Sequence, residues 1–134
     1  MKYPMLTITS NPNNILQVEH YLKQLDFAVD AEKYADILIS LTEAVNNAII
    51  HGNKNDETKK VHIYAHRKEN GVAFCVTDEG SGFNPNRVAD PTCQDKLECC
   101  GGRGVYIMKA LSDDICFRQE GREVEMYFRL NIGS

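Results

Sequence analysis

The 134-residue sequence predicts one domain of mixed α and β structure, and three observations carry that reading. Apolar residues recur at helical intervals over residues 15–25 and 34–49, and alternate with polar ones in short runs elsewhere. The composition, 43% hydrophobic and 25% charged, is that of an ordinary globular chain. No linker, repeat or low-complexity tract divides residues 1–134, and a chain this long buries most of the apolar surface it exposes when unfolded.

The elements follow in order. "MLTITS" alternates like a short strand. "NPNN" resembles a helix start, with Asn11 as cap and Pro12 in the first turn. Ile15, Val18, Leu22 and Leu25 then mark one amphipathic helix. A long helix follows "DFAVD" and ends near His51-Gly52, where glycine is available as a stop. "KKVHIYAHR" and "GVAFCVTD" are strand-like, and "KENG" between them reads as a hairpin turn. After a long irregular stretch, "VYIMKALSD" is a short helix. "DICFRQ" and "EVEMYFRL" form a last hairpin around Glu120-Gly121.

Two features are not explained by folding alone. On the long helix, Tyr34, Ile37, Leu38, Leu41, Val45, Ala48 and Ile49 share one broad face, while Glu43 and Asn47 share a stripe on the far side. Ile39 and Ile50 flank that stripe, and a helix apolar nearly all round is expected to be covered all round. The carboxylate and the amide are therefore expected to line a cavity. The second feature is "DEGSGFNPNRVADPTCQDKLECCGGRG", an irregular stretch too long for a simple connection in a compact domain. Asp78 ends a strand at its front, with Gly80 and Gly82 just beyond. Gly101, Gly102 and Gly104 precede a helix at its back. Glycines there let backbone N–H groups approach a ligand, and a helix N-terminus favours an anion such as phosphate.

Charge and cysteine content narrow the classes. A net charge of −4 gives no general reason to expect nucleic acid or an anionic membrane as partner, and Lys59-Lys60 is only a short basic pair. No apolar run approaches the roughly 20 residues that span a bilayer. The N-terminus lacks the long apolar core of a signal peptide, so a cytoplasmic protein is expected. Five cysteines, an odd number, argue against a closed disulfide framework. Cys75 and Cys116 lie in strand-like runs and are expected as small core hydrophobes. Cys93, Cys99 and Cys100 show no C-x-x-C spacing and no histidine at finger spacing, so free thiols are expected rather than zinc ligands.

Taken singly, each motif has a plain reading. "DEGSG" is an ordinary turn, "GGRG" is neither a Walker A loop nor G-x-G-x-x-G, and Glu43 with Asn47 could be a satisfied polar pair. His51 alone reads as a cation at a helix end. In combination they are specific. "TEAVNNAIIHG" resembles the Glu-Ala-x-x-Asn-Ala-x-x-His-Gly box, "VTDEGSGF" the Asp-x-Gly-x-Gly box, and "GGRGVYIMKALSD" the Gly-Gly-x-Gly box of the GHKL ATPase superfamily. Within it the resemblance is to the RsbW-type anti-sigma-factor serine/threonine kinases, and it spans nearly the whole chain.

The resemblance implies a Bergerat-type α/β (α+β) two-layer sandwich, with a mixed, mainly antiparallel sheet and helices on one face. It also implies ATP and Mg2+ as ligands. Glu43 would be the general base and Asn47 the magnesium ligand through its side-chain oxygen. Asp78 would accept the exocyclic amine of adenine, with Gly80 and Gly82 close by, which selects against the carbonyl of guanine. Gly101, Gly102, Arg103 and Gly104 would hold the phosphates, and residues 84–100 would form an ATP lid. Asn46, at an adjacent wheel position, is a second polar residue with no assigned role. The last hairpin departs from the pattern: many relatives have Gly-Thr, and here Arg122 follows Gly121.

None of His20, His51, His62 and His66 lies on a preceding helical hairpin, so a self-phosphorylating histidine kinase is disfavoured. Three functions stay open. The first is an anti-sigma-type kinase that phosphorylates a small anti-anti-sigma (STAS-type) protein and also binds a sigma factor, expected as a homodimer without direct nucleic-acid or membrane contact. The second is a nucleotide-dependent binding module with little turnover. The third is a phosphotransfer or ATPase component with an unrelated substrate.

Overall fold

The computed structural model describes residues 3–25, 29–80 and 102–130. Strand β1 (Leu6–Thr9) leads through a 3-10 turn at Pro12–Asn14 into α1 (Ile15–Leu25), then α2 (Ala31–Asn47) and a π-helical turn at Ala48–Gly52. β2 (Lys60–Lys68) and β3 (Gly71–Asp78) follow, then α3 (Gly102–Leu111), β4 (Asp114–Arg118), a 3-10 turn at Gln119–Gly121 and β5 (Glu123–Arg129).

Local chemistry starts the elements where the sequence marks them. The Asn11 side chain accepts from the Asn13 N–H at 2.9 Å, and Asp30 caps α2 by accepting from the Lys33 N–H at 2.7 Å. β2 alternates buried and open residues along its length, as a strand with one covered face must.

The sheet order is β1-β2-β3-β5-β4, so β5 inserts between β3 and β4. The sheet was expected to be mixed and mainly antiparallel; every pairing among the described residues is antiparallel. Val61, Ile63, Phe74, Val76, Met126 and Phe128 point from the sheet into one core with Val18, Leu22, Ile37, Leu41, Val45 and Met108 from the helices. The helices thus cover one face, and the fold is α+β with two layers.

Three expectations change. The long helix leaves α geometry after Asn47. The Asn53 N–H reaches back five residues to the Ala48 carbonyl at 2.8 Å, a π-type bond. Ile39 and Ile50 are open, at 45% and 39%, so the far side of α2 is not covered all round among the described residues. Cys116 is also exposed, because it points outward from edge strand β4, whereas Cys75 is buried as expected. Among the described residues, no helix is long and apolar enough to cross a membrane.

Candidate functional site

Two glycine contacts join the end of α2 to the end of β3. A Cβ placed on Gly52 would lie 2.3 Å from Asp78 Oδ2, and one on Gly80 would lie 1.8 Å from the Gly52 carbonyl oxygen. Neither position has room for a side chain. Gly52 therefore serves close approach to a carboxylate rather than acting as a left-handed helix stop, and its φ is not among the positive values.

A buried polar cluster holds this junction. Asn53, 1% exposed, donates from Nδ2 to Ser10 Oγ at 2.8 Å and to the Lys60 carbonyl at 3.1 Å. Its Oδ1 accepts the Glu79 N–H at 2.9 Å, so each side-chain atom has work to do. Glu79 in turn accepts the Lys60 N–H at 2.8 Å and meets His62 Nε2 at 3.3 Å. The residue that follows Asp78 is thereby fixed on both its backbone and its side chain.

Asp78 is itself 7% exposed and lines a cleft between the helices and the sheet. Ala44, Ala48, Val76, Met108 and Val124 supply apolar walls, and Asn47, Asp78 and Arg122 supply the polar groups. Burial pushes the Asp78 carboxyl above the usual carboxylate range. The Gly80 N–H, donating to Oδ1 at 2.8 Å, opposes this, as do the charges of Arg122 and Lys59. A buried carboxylate in an apolar slot suits a flat ligand that brings an N–H donor.

The other end of the cleft is built by α2 against α3. A Cβ on Gly104 would lie 2.9 Å from Glu43 Oε2 and 3.0 and 3.1 Å from the amide nitrogen and oxygen of Asn47. Val105 and Met108, both 1% exposed, anchor α3 in the core, so its first turn is pinned over those two side chains. Backbone N–H groups in a helix's first turn lack intrahelical partners, and the helix dipole adds partial positive charge. An anion arriving there would meet a carboxylate, a carboxamide and a set of N–H donors. Gly104 is the cradle that a methyl group would fill.

Of the residues singled out from sequence, Glu43, Asn47, Asp78, Gly80 and Gly104 converge on one cleft and its rim. Gly102 opens α3, and Arg103 beside it is exposed rather than drawn inward. Gly82, Gly101, residues 84–100 expected as a lid, and Cys93, Cys99 and Cys100 lie outside the described residues. Sequence reasoning missed Asn53 as the clamp on Glu79, and gave Gly52 the wrong task. The signal for Gly52 was its place directly after His51 in the first box. Nothing local marks Asn53.

A family model described as "Histidine kinase-like ATPase domain" matches residues 8–128. The anti-sigma F factor of Clostridium perfringens is 31% identical over 121 residues, covering 87% of this chain and 85% of the relative. That of Clostridium beijerinckii is 33% identical over 123 residues, covering 87% and 84%. That of Shouchella clausii is 37% identical over 100 residues, covering 73% and 67%. The family match over most of the chain and the similarity to these relatives agree: the chain belongs to the histidine kinase-like ATPase domain family of the GHKL type, among relatives that include the anti-sigma F factors.

Proposed function

We propose that this chain is a cytoplasmic anti-sigma factor of the kinase type. It binds Mg-ATP in the cleft, phosphorylates a serine or threonine on a small anti-anti-sigma (STAS-type) partner, and sequesters a sigma factor, working as a homodimer. The observation that carries the reading is the contact of Gly104 with both Glu43 and Asn47. It brings the anion-binding start of α3 onto a carboxylate and a hard oxygen donor at once.

The residues present suit the ligands. Asp78 would accept the adenine amine, and the apolar walls would sandwich the ring. ATP supplies an activated γ-phosphoryl group. The α3 N–H groups, with Gly102 and Gly104 admitting close approach, would bind phosphate oxygens and orient the chain of phosphates. Among the described residues, no group of three or more His, Cys, Asp or Glu side chains could hold a metal ion. Mg2+ would accordingly rest on phosphate oxygens and water, with the Asn47 amide oxygen as the protein's ligand. Glu43, half-buried one turn earlier on the same stripe, would take the proton of the acceptor hydroxyl.

The test is transfer of labelled γ-phosphate from ATP to small single-domain acceptor proteins encoded beside this chain. Labelling of one on serine or threonine is the expected result. Exposed Ile39 and Ile50 beside the Glu43 stripe support a second reading, a binding module that holds its partner by apolar contact and turns over little. Tight, ATP-dependent binding of a partner without labelling would favour that reading.

A further inference from the structure

The turn between β4 and β5 holds three successive residues in left-handed conformation: Gln119 at φ 54°, Glu120 at 59° and Gly121 at 88°. Two of the three carry side chains, and such backbone persists only where its surroundings hold it. Arg122 does the holding. Its backbone N–H and its guanidinium Nε both donate to the Gln119 carbonyl, at 3.2 and 3.1 Å. Its own carbonyl accepts the Asp78 N–H at 2.9 Å. The residue is thus tied on one side to the turn and on the other to the backbone of Asp78.

The residue so tethered lines the cleft together with Val76, Met108 and Asp78, and its charge reaches the Asp78 carboxylate. The Nε bond orients the guanidinium plane without using the N–H groups at its tip. A planar, weakly hydrated cation stacks well on aromatic faces, which an ammonium or an alkyl chain does not reproduce. A cation held in this way has no role in the packing of β5, whose inward residues are Val124, Met126 and Phe128.

We propose that Arg122 is a specificity-determining residue of the nucleotide cleft: its guanidinium lies against the nucleobase that Asp78 grips and favours a purine over a pyrimidine bearing the same amine. The inference rests on the nucleotide-binding reading above. Its charge also acts on Asp78 in the direction that keeps the carboxylate an acceptor.

The experiment is calorimetric titration of the full chain with ADP and, separately, CDP, for wild type, Arg122→Lys and Arg122→Met. Both bases offer an exocyclic amine next to a ring-nitrogen acceptor, and the single ring of cytosine presents the smaller stacking face. Arg122→Met should bind ADP about 3- to 30-fold more weakly, the span of a partly to fully desolvated cation–π contact, and its ADP-over-CDP preference should fall with it. Arg122→Lys should recover little of either. Should Arg122→Met melt far below wild type, Gln119→Gly added to it relieves the turn of its left-handed side chain, and the same loss of preference is expected in the double variant. An unchanged ADP-over-CDP ratio in Arg122→Met, or full recovery in Arg122→Lys, overturns the proposal. A wild-type chain that binds neither nucleotide overturns the nucleotide reading itself, which separates the two failures.

Discussion

Gly52 Cα faces the Asp78 carboxylate so closely that an added methyl carbon would stand 2.3 Å from Oδ2. The contact joins the last turn of the α2 segment to the tip of β3, and it is the geometric reason these two motifs lie together. Gly52→Ala should push the carboxylate out of the cleft. Overpacking of this kind costs about 1–3 kcal/mol of stability. Nucleotide affinity should fall at least tenfold, because the acceptor itself moves. Calorimetry with ADP and a thermal melt check both, and wild-type affinity in a stable variant would show that Asp78 does not meet the ligand.

Asp78 carries a trade between stability and binding. Burial raises its folded pKa, so the folded chain holds a proton more readily than the unfolded one. The group's favourable contribution is therefore complete below the ordinary carboxylate value and is lost as pH rises through the raised folded value. Above that folded value the ionised side chain opposes folding. Asp78→Asn should then melt at or above wild type at pH 7, with its advantage shrinking as the pH is lowered through that window. ADP and ATP affinity should fall together by about 1.5–3 kcal/mol, the worth of a charge-assisted hydrogen bond. A variant that melts well below wild type at pH 7 contradicts the electrostatic account.

Metal dependence tests Asn47. Asn47→Ala removes the amide oxygen at the Gly104 cradle while leaving the buried face of α2 intact. Binding of ATP should lose its tightening by Mg2+, with ADP affinity measured without metal almost unchanged. Titration of Mg2+ at fixed ATP reads this directly. A wild-type metal response would make Asn47 a packing residue of the cradle.

Glu43 separates kinase from binding module. Gln is nearly isosteric with Glu and cannot take a proton. Glu43→Gln should bind Mg-ATP almost as wild type does and melt within about a few degrees of it. Phosphotransfer to the partner should drop about 10²- to 10⁴-fold, the usual range for a lost general base. Equal labelling rates in the two proteins would put the base elsewhere.

The order of elements was legible from the chain alone, down to Asn11 as a cap, the two hairpins and the buried face of α2. Those features depend on periodicity and turn chemistry, which are written within a few residues of each other. So were the three glycine-bearing boxes, whose members sit close together in sequence. Tertiary structure decided the rest. Insertion of β5 between β3 and β4, and the Asn53 clamp from Ser10 to Glu79, depend on residues far apart in sequence. The π-helical turn that ends the α2 segment has no local signature, and neither does the near-contact of Gly104 with Glu43 and Asn47. The openness of Ile39, Ile50 and Cys116 follows from which surfaces other elements reach, not from their own polarity. Local pattern selects the elements, but only packing between distant segments brings a carboxylate, an amide and a helix start to one cleft.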